Sequence, residues 1–440
     1  MHKGRHMLHI PKIADKKRII IVGGGFGGLE MAKKLENSKF QVVLLDKNNY
    51  HTFQPLLYQV ATSGLEASSI SSPYRKILEG LKGVSFRMAE VLKIMPEQNK
   101  ILTNQGEVEF DYLILATGTT TNYYGMKDVE DNSMPLKTIP DALNFRSLIL
   151  QNLERAVNFQ GGSDEQEKLI DIVIVGGGPT GVEMAGALAE LKTKVLPADY
   201  PELNFSLMDI NLVESNARLL ASMSEEASAK TKEFIESMGV KVYLNTALKS
   251  YDGHVAKLSS GKEILTTSLI FAAGVKGVVI PGLAEEAIAR GFRYNVDQNL
   301  KVKGYDHIFA VGDIACFIPE GADRPLPMMA PVAIQMGDYL VNYLKGLTTE
   351  GFKYKDNGSM ATIGKNKAVV DLPNFKFQGF FAWMVWMFVH LISIIGFRNK
   401  MRVLITWVVA YFNSDKKYRM IYRPFQREKK EASDQAHSES

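Results

Sequence analysis

A chain of 440 residues with 46% hydrophobic and 23% charged side chains has the balance of a folded protein of two or three domains, which excludes a disordered or fibrous chain. Its one cysteine, Cys316, excludes an internal disulfide, a Cys-x-x-Cys redox pair and a cysteine-built zinc site. The net charge of +4 is local: ten Lys and Arg stand against two acids between 398 and 430, whereas residues 1–397 are nearly balanced, so a nucleic-acid partner is not expected.

Residues 1–17 form an N-terminal extension. The opening MHKGRHMLHIPKIADKKR is basic but lacks the apolar core and small-residue cleavage site of a signal peptide, which suggests a cytoplasmic protein. Residues 20–35, IIVGGGFGGLEMAKKL, read as strand, glycine turn and helix. Gly23, Gly25 and Gly28 fit G-x-G-x-x-G: the first permits a tight turn, the second lets a pyrophosphate approach the backbone, and the third lets helix pack on strand. The next strand, QVVLLD, ends at Asp46, where a carboxylate can accept hydrogen bonds from a ribose. SFRMAEVLKIMPEQNKILTN and EVEFDYLILATG then alternate as an antiparallel flap leading into a buried strand.

A segment near 140–168 containing Gly161-Gly162-Ser163-Asp164 reads as a helix and a linker, after which the first pattern repeats. LIDIVIV leads into VIVGGGPTGVEMAGAL (173–188), with Gly176, Gly178 and Gly181 at the same spacing. A strand NLVE ends at Glu214, followed by a helix over 224–238 and the strands VKVYL and LIFAAG. A carboxylate at the ribose end repels a 2′-phosphate, so this site should prefer NADH to NADPH, with Arg218 nearby working against that preference. One such turn also suits other α/β proteins; two in matching contexts imply two bound dinucleotides. The fold class is therefore α/β, with two Rossmann-like, three-layer domains on parallel central sheets.

Beyond Gly291, HIFAVGDIA (307–315) is a strand closing on Gly312-Asp313, and residues 331–347 form a helix with Pro331 at its start. Residues 377–397 carry no formal charge and are long enough to span a bilayer. Three features favour lying on the membrane instead. Gly379, Ala382, His390, Ser393 and Gly396 make a small, weakly polar helical stripe; RNKMR (398–402) follows; and the second apolar run, VLITWVVAYF (403–412), is too short to return across. Trp383, Trp386 and Trp407 suit the headgroup region, and the basic residues suit anionic lipid, so two amphipathic, membrane-anchoring helices are expected. The final EASDQAHSES (431–440) is expected to be a disordered tail. His51 and His390 stand alone, and no metal is expected.

With these turns in place, ILATGT (114–119), IFAAGV (270–275) and IFAVGDIA (308–315) resemble the two-dinucleotide-domain flavoprotein superfamily from residue 18 to about 347. The resemblance implies non-covalent FAD among Gly23, Gly25, Phe26, Gly28, Asp46, Lys47, Val91, Ala116, Thr117, Gly118, Gly312, Asp313, Val332 and Ala333, with Asp313 on the ribityl chain. It implies NADH among Gly176, Gly178, Pro179, Thr180, Gly181, Glu183, Glu214, Ala273 and Gly274. The corresponding domains are 18–128 with 292–370 for FAD, 129–291 for NADH, and 371–430 for the membrane-associated helices.

Four stretches resemble the type II NADH dehydrogenases, single-subunit NADH:quinone oxidoreductases that do not pump protons: NYHTFQPLLYQVATSGL (49–65), GGGPTGVEMAGALAELKTKVLPADYPEL (176–203), APVAIQMG (330–337) and FFAWMVWMFVHLISIIGFRNK (380–400). That resemblance implies hydride transfer from NADH to FAD, two electrons onward to a quinone, and a peripheral place on the cytoplasmic face of a bacterial inner membrane. A homodimer is left open. Of the family's two glutamines four apart, Gln335 fills the second place while Pro331 stands in the first, leaving Gln335 as the candidate for a quinone contact. Glu183 is the candidate proton carrier; its competing role is to favour the positive end of its helix. The functional alternatives are a soluble NADH oxidase or ferredoxin reductase, and a non-catalytic, membrane-bound NADH-sensing flavoprotein. A sulfide:quinone or disulfide reductase needs a second cysteine.

Overall fold

Lys17–Val22, Phe40–Asp46, Tyr112–Leu115 and Ile308–Ala310 are aliphatic runs without alternation, the pattern of strands covered on both faces. The computed structural model, which describes residues 7–159, 163–413 and 416–427, joins them in one parallel sheet. Its far edge is Val84–Met88, paired in parallel with the second strand from Val42–Val84 to Asp46–Met88. The sequence pattern places SFRM in the antiparallel flap, and this is corrected. An edge strand covered on one face alternates just as a hairpin strand does, and only Val91–Met95, Lys100–Thr103 and Gly106–Glu109 form the flap.

A second parallel sheet runs Lys241–Tyr243, Ile210–Val213, Ile172–Val175, Ser268–Phe271. Helix Ile139–Val157 precedes it, started by a capping box in which Thr138 accepts from the Asp141 N–H and the Asp141 carboxylate accepts from Thr138. Helices Phe26–Lys34 and Ala330–Lys345 cross backbone to backbone, because a Cβ at Gly27 would strike the Ala333 carbonyl and one at Gly337 the Gly27 carbonyl. That contact holds Ala330–Lys345 beside the first glycine turn. Gly161-Gly162, where a linker is expected, and the tail 431–440 lie outside the described residues.

The C-terminal region departs most from expectation. Ser359–Gly364, Lys367–Asp371 and Lys376–Gln378 form an antiparallel sheet, so residues 371–378 are not part of the membrane helices. Its first strand lies against helix Pro179–Lys194, so close that a Cβ at Gly186 would overlap the Ile363 carbonyl. Helices Phe380–Ser393 and Phe397–Asn413 follow, separated by a turn at Gly396 with φ +86°. No helix of the described residues is long and apolar enough to cross a membrane.

The small-residue stripe does not make one face: Ala382 is buried and His390 half-buried, Ser393 is exposed, and Gly379 and Gly396 sit at helix ends. The tryptophans are corrected too. Trp386 is 2% exposed, and with Ala382, Ile394 and Val403 it belongs to the same core as Leu57, Phe145, Ile174 and Val182, while Trp383 and Trp407 pack against it.

Candidate functional site

The two glycine turns are built alike. At the first, Gly23 has φ +104° and its missing Cβ would overlap the Ala116 carbonyl, the Cβ of a residue at 28 would strike the Gly23 carbonyl, and Gly25 faces open space. At the second, Gly176 has φ +114° against Ala272, Gly181 abuts the Gly176 carbonyl, and Gly178 is open. Each turn thus leaves one backbone cradle at a helix N-terminus that a pyrophosphate can enter. In each, the acid ending the next strand braces the turn: Gly24 N–H donates to Asp46 Oδ2 at 2.7 Å, and Gly177 N–H to Glu214 Oε2 at 2.5 Å. Glu214 Oε1 also accepts from the Asn216 N–H and Nδ2, at 2.6 and 2.7 Å. Arg218 does not face this site, since its guanidinium donates to the Met223 and Ala221 carbonyls and to Ser228 Oγ. The charge set against an NADH preference is therefore absorbed by its own loop.

Around the first cradle, Ala116, Thr117 and Gly118 follow the strand beside Gly23, and Gly312 meets Ala333, which with Val332 is buried at the start of helix Ala330–Lys345. Asp313 lies 3.5 Å from the Thr119 hydroxyl, and Lys137 Nζ donates to the same Thr119 Oγ1 at 3.0 Å. Burial pushes the Asp313 carboxyl up, against the pull of Lys137 and Arg293. Val91 begins the flap, and Lys47 is exposed beyond Asp46. At the second cradle Pro179 and Thr180 are exposed at the helix start, and Tyr124 rests its hydroxyl on the Ala273 carbonyl at 3.3 Å, beside Gly274.

From the first cradle a chain of ring contacts leads toward the C-terminal helices. Phe26 meets His51 at 5.5 Å and Phe53 at 5.9 Å, Phe53 meets His390 at 6.1 Å, and His390 stacks on Trp386 at 4.0 Å. There a cavity of about 140 Å³ opens between helix Pro179–Lys194, the segment 58–64, the turn 362–365 and both C-terminal helices. Glu183 is at its buried end, 8% exposed. It stands in the second turn of its helix, not the first, so the helix N-terminus does not account for it. Burial raises its carboxyl to about 8; the Thr362 N–H, 3.5 Å away, and the Trp386 indole oppose this only in part.

The cavity also gathers groups that sequence reasoning missed: Tyr58, Gln59, Glu190, Lys365 and Lys416. Gln59 Oε1 accepts from the Trp407 indole at 2.8 Å, which ties the segment NYHTFQPLLYQVATSGL to the last helix. A polar Gln within the apolar run PLLYQVA was the available signal. Gln335 is not brought to this cavity. Its amide donates to the Lys355 carbonyl and accepts from the Lys355 N–H, both at 2.9 Å, so it pins a loop.

On the two C-terminal helices that wall this cavity, Phe381, Met384, Phe388 and Ile392 on the first and Phe397, Met401, Ile405, Val408 and Phe412 on the second are exposed at three- and four-residue steps, giving two continuous apolar stripes. The basic residues divide: Arg398, Lys417 and Arg423 are exposed, Lys400 caps the Ile392 carbonyl, Lys416 bonds the Ala187 carbonyl, Arg419 pairs with Asp199 and Arg427 donates to the Thr267 carbonyl. Several cations expected to face lipid are held by the protein instead.

Comparison with known proteins agrees with this fold. The model of the pyridine nucleotide-disulphide oxidoreductase family matches residues 17–337, and that of the NDH2 C-terminal domain matches 357–414. The chain is 32% identical over 420 residues to the type II NADH:quinone oxidoreductase NdhA of Mycobacterium tuberculosis, covering 91% of this chain and 88% of that protein. It is 29% identical over 366 residues to the type II NADH:quinone oxidoreductase of Staphylococcus aureus, covering 81% and 89%. Its fold resembles NDH2 from Plasmodium falciparum in complex with NADH, with a TM-score of 0.84 at 23% identity over 91% of this chain and 99% of that one.

Proposed function

The chain belongs to the pyridine nucleotide-disulphide oxidoreductases and, among them, to the type II NADH:quinone oxidoreductases, and from that premise we propose how its residues divide the work. It oxidises NADH by way of FAD and passes the electrons to a quinone. FAD, when bound, takes the hydride and releases the electron pair. The first cradle, with Gly25, Asp46, Gly312 and Asp313, holds the FAD; the open backbone at Gly25 and the bracing of the turn by Asp46 support this. The second, with Gly178 and Glu214, receives NADH, and a buried carboxylate with Arg218 turned into its own loop selects it over NADPH.

Quinone is reduced in the cavity that Glu183 shares with the C-terminal helices, and Glu183 donates a proton to it. The observation that carries this reading is a buried carboxyl, raised to about 8 and so protonated at neutral pH, in a cavity lined by Trp383, Trp386 and Trp407 of the same two helices that carry the exposed apolar surface. The two apolar stripes rest on the bilayer, so quinone enters from lipid while NADH reaches the far turn from the aqueous side, the cytoplasm. Among the described residues, the exposed Arg398, Lys417 and Arg423 can meet anionic headgroups.

Glu183→Gln tests this assignment. Bleaching of the flavin by NADH should keep its rate, while recovery on adding quinone should slow by about a hundredfold or more, the range of a lost general acid. Unchanged rates in both half-reactions would remove Glu183 from the chemistry.

A further inference from the structure

Helix Pro179–Lys194 lays Glu183, Ala187, Glu190 and Lys194 along one side, at steps of four, three and four residues, and all four line the cavity. Their exposure rises along the helix: Glu183 and Ala187 are buried, Glu190 is half-buried and Lys194 is exposed. This face therefore runs from the closed end of the cavity to solvent. Lys416, from the segment after the last helix, enters it midway, where its Nζ donates to the Ala187 carbonyl at 2.8 Å. Glu190 is the carboxylate that acts on this ammonium, and Glu190 Oε1 is itself held by the Lys365 N–H at 2.6 Å. Lys194 acts against the same ammonium, and the other polar groups lining the cavity include Tyr58, Gln59, Thr62, Thr362 and the Lys365 ammonium, the last tied to the Tyr411 carbonyl at 2.5 Å.

The stoichiometry asks for such a face. Quinone becomes quinol by gaining two electrons and two protons, and NADH brings two electrons and one proton as hydride. One proton per turnover must come from solvent. As the Glu183 O–H breaks and a quinol O–H forms, a carboxylate is left at the closed end of the cavity. Seven residues of helix separate Glu183 from Glu190 by about 10 Å along the axis, too far for direct transfer.

We propose that Lys416 and Glu190 carry the proton that restores Glu183, with Lys416 giving up its proton to the Glu183 carboxylate and recovering one through Glu190 from solvent. The proposal rests on the assignment of Glu183 as donor to quinone. Burial brings Lys416 down to about 8, next to the value to which it brings Glu183 up, so proton exchange between them is nearly balanced close to neutral pH.

The test uses the full-length flavoprotein with NADH and a soluble short-chain quinone in stopped flow, on Lys416→Met, Lys416→Arg, Glu190→Gln and Glu183→Gln. Flavin bleaching by NADH should be unaffected in the Lys416 and Glu190 variants. Recovery by quinone should slow at least about tenfold in Lys416→Met and in Lys416→Arg, since arginine keeps the charge but does not release its proton. The solvent deuterium isotope effect on recovery should rise, imidazole should rescue Lys416→Met, and Glu190→Gln should slow recovery in the same direction. Recovery at the wild-type rate in Lys416→Arg would show that charge alone matters and would overturn the proposal. So would a slow Lys416→Met with neither isotope effect nor rescue. A slow Glu183→Gln beside normal Lys416 and Glu190 variants rejects the relay alone, whereas a normal Glu183→Gln rejects the donor assignment and the relay with it.

Discussion

Glu183 links the chemistry of the cavity to the stability of the protein. Its carboxyl titrates near 8 in the folded chain against an ordinary 4.5, so between those values the native state holds a proton that the unfolded state has lost. Stability accordingly falls as pH rises through that window, by up to about 1.4 kcal/mol per unit, and this contribution is level below and above it. Glu183→Gln removes the dependence. Its melting temperature should match the wild type near pH 5 and exceed it increasingly toward pH 8, whereas parallel curves would mean a solvated carboxyl. The glycines separate in the same way. At Gly28 an added methyl group meets the Gly23 carbonyl, so Gly28→Ala should lower stability by roughly 1–3 kcal/mol or prevent folding. At Gly25 it meets nothing within 4 Å except what enters the cradle, so Gly25→Ala should fold and purify without colour. Flavin absorbance per chain and thermal melting distinguish the two outcomes.

At the scale of elements, what could be read in the sequence was what is local. The glycine turns were legible because spacing, strand and helix occupy twenty consecutive residues, and Asp46 and Glu214 because each ends the strand beside its turn. The cavity was not, because its walls come from residues near 58, 183, 363, 386 and 416, which only the fold brings together. The C-terminal helices failed differently. The first of them is apolar nearly all round, so hydropathy gives no sign that Trp386 faces inward and Phe381 outward, at 2% and 76% exposure. The short strands at 359–378 hid next to that apolar run for the same reason. Substitution tells the two faces apart. Replacing Phe381, Phe388 and Phe412 with Ser removes up to roughly 1.5–3 kcal/mol of burial each in a bilayer and nothing from the core. That variant should lose cosedimentation with anionic vesicles while keeping its melting temperature and its bleaching by NADH. Trp386→Ala should instead destabilise the fold by about 3–5 kcal/mol.

For the whole molecule, the C-terminal helices and the domain of the second glycine turn share one core. Ala382, Trp386, Ile394 and Val403 belong to the same buried cluster as Leu57, Phe145 and Val182, and strand Lys376–Gln378 completes the sheet whose first strand touches helix Pro179–Lys194. The segment beyond the last helix then returns over the same part: Arg419 pairs with Asp199, Phe425 and Gln151 bond through backbone and amide, and Arg427 reaches the Thr267 carbonyl. Deleting residues 377–440, the obvious way to test for a membrane anchor, takes away one wall of that core along with the exposed apolar stripes. It opens the cavity wall opposite Glu183, Ala187 and Ile363 and leaves Lys367–Asp371 without its outer neighbour. The expected product is an aggregated or flavin-poor protein with a lowered melting temperature, not a soluble enzyme released from the membrane. Sedimentation and flavin content of the truncated protein measure this directly. A soluble yellow fragment still bleached by NADH would mean that the two helices are a separable module, and that docking to lipid and shaping the quinone cavity are independent tasks in this fold.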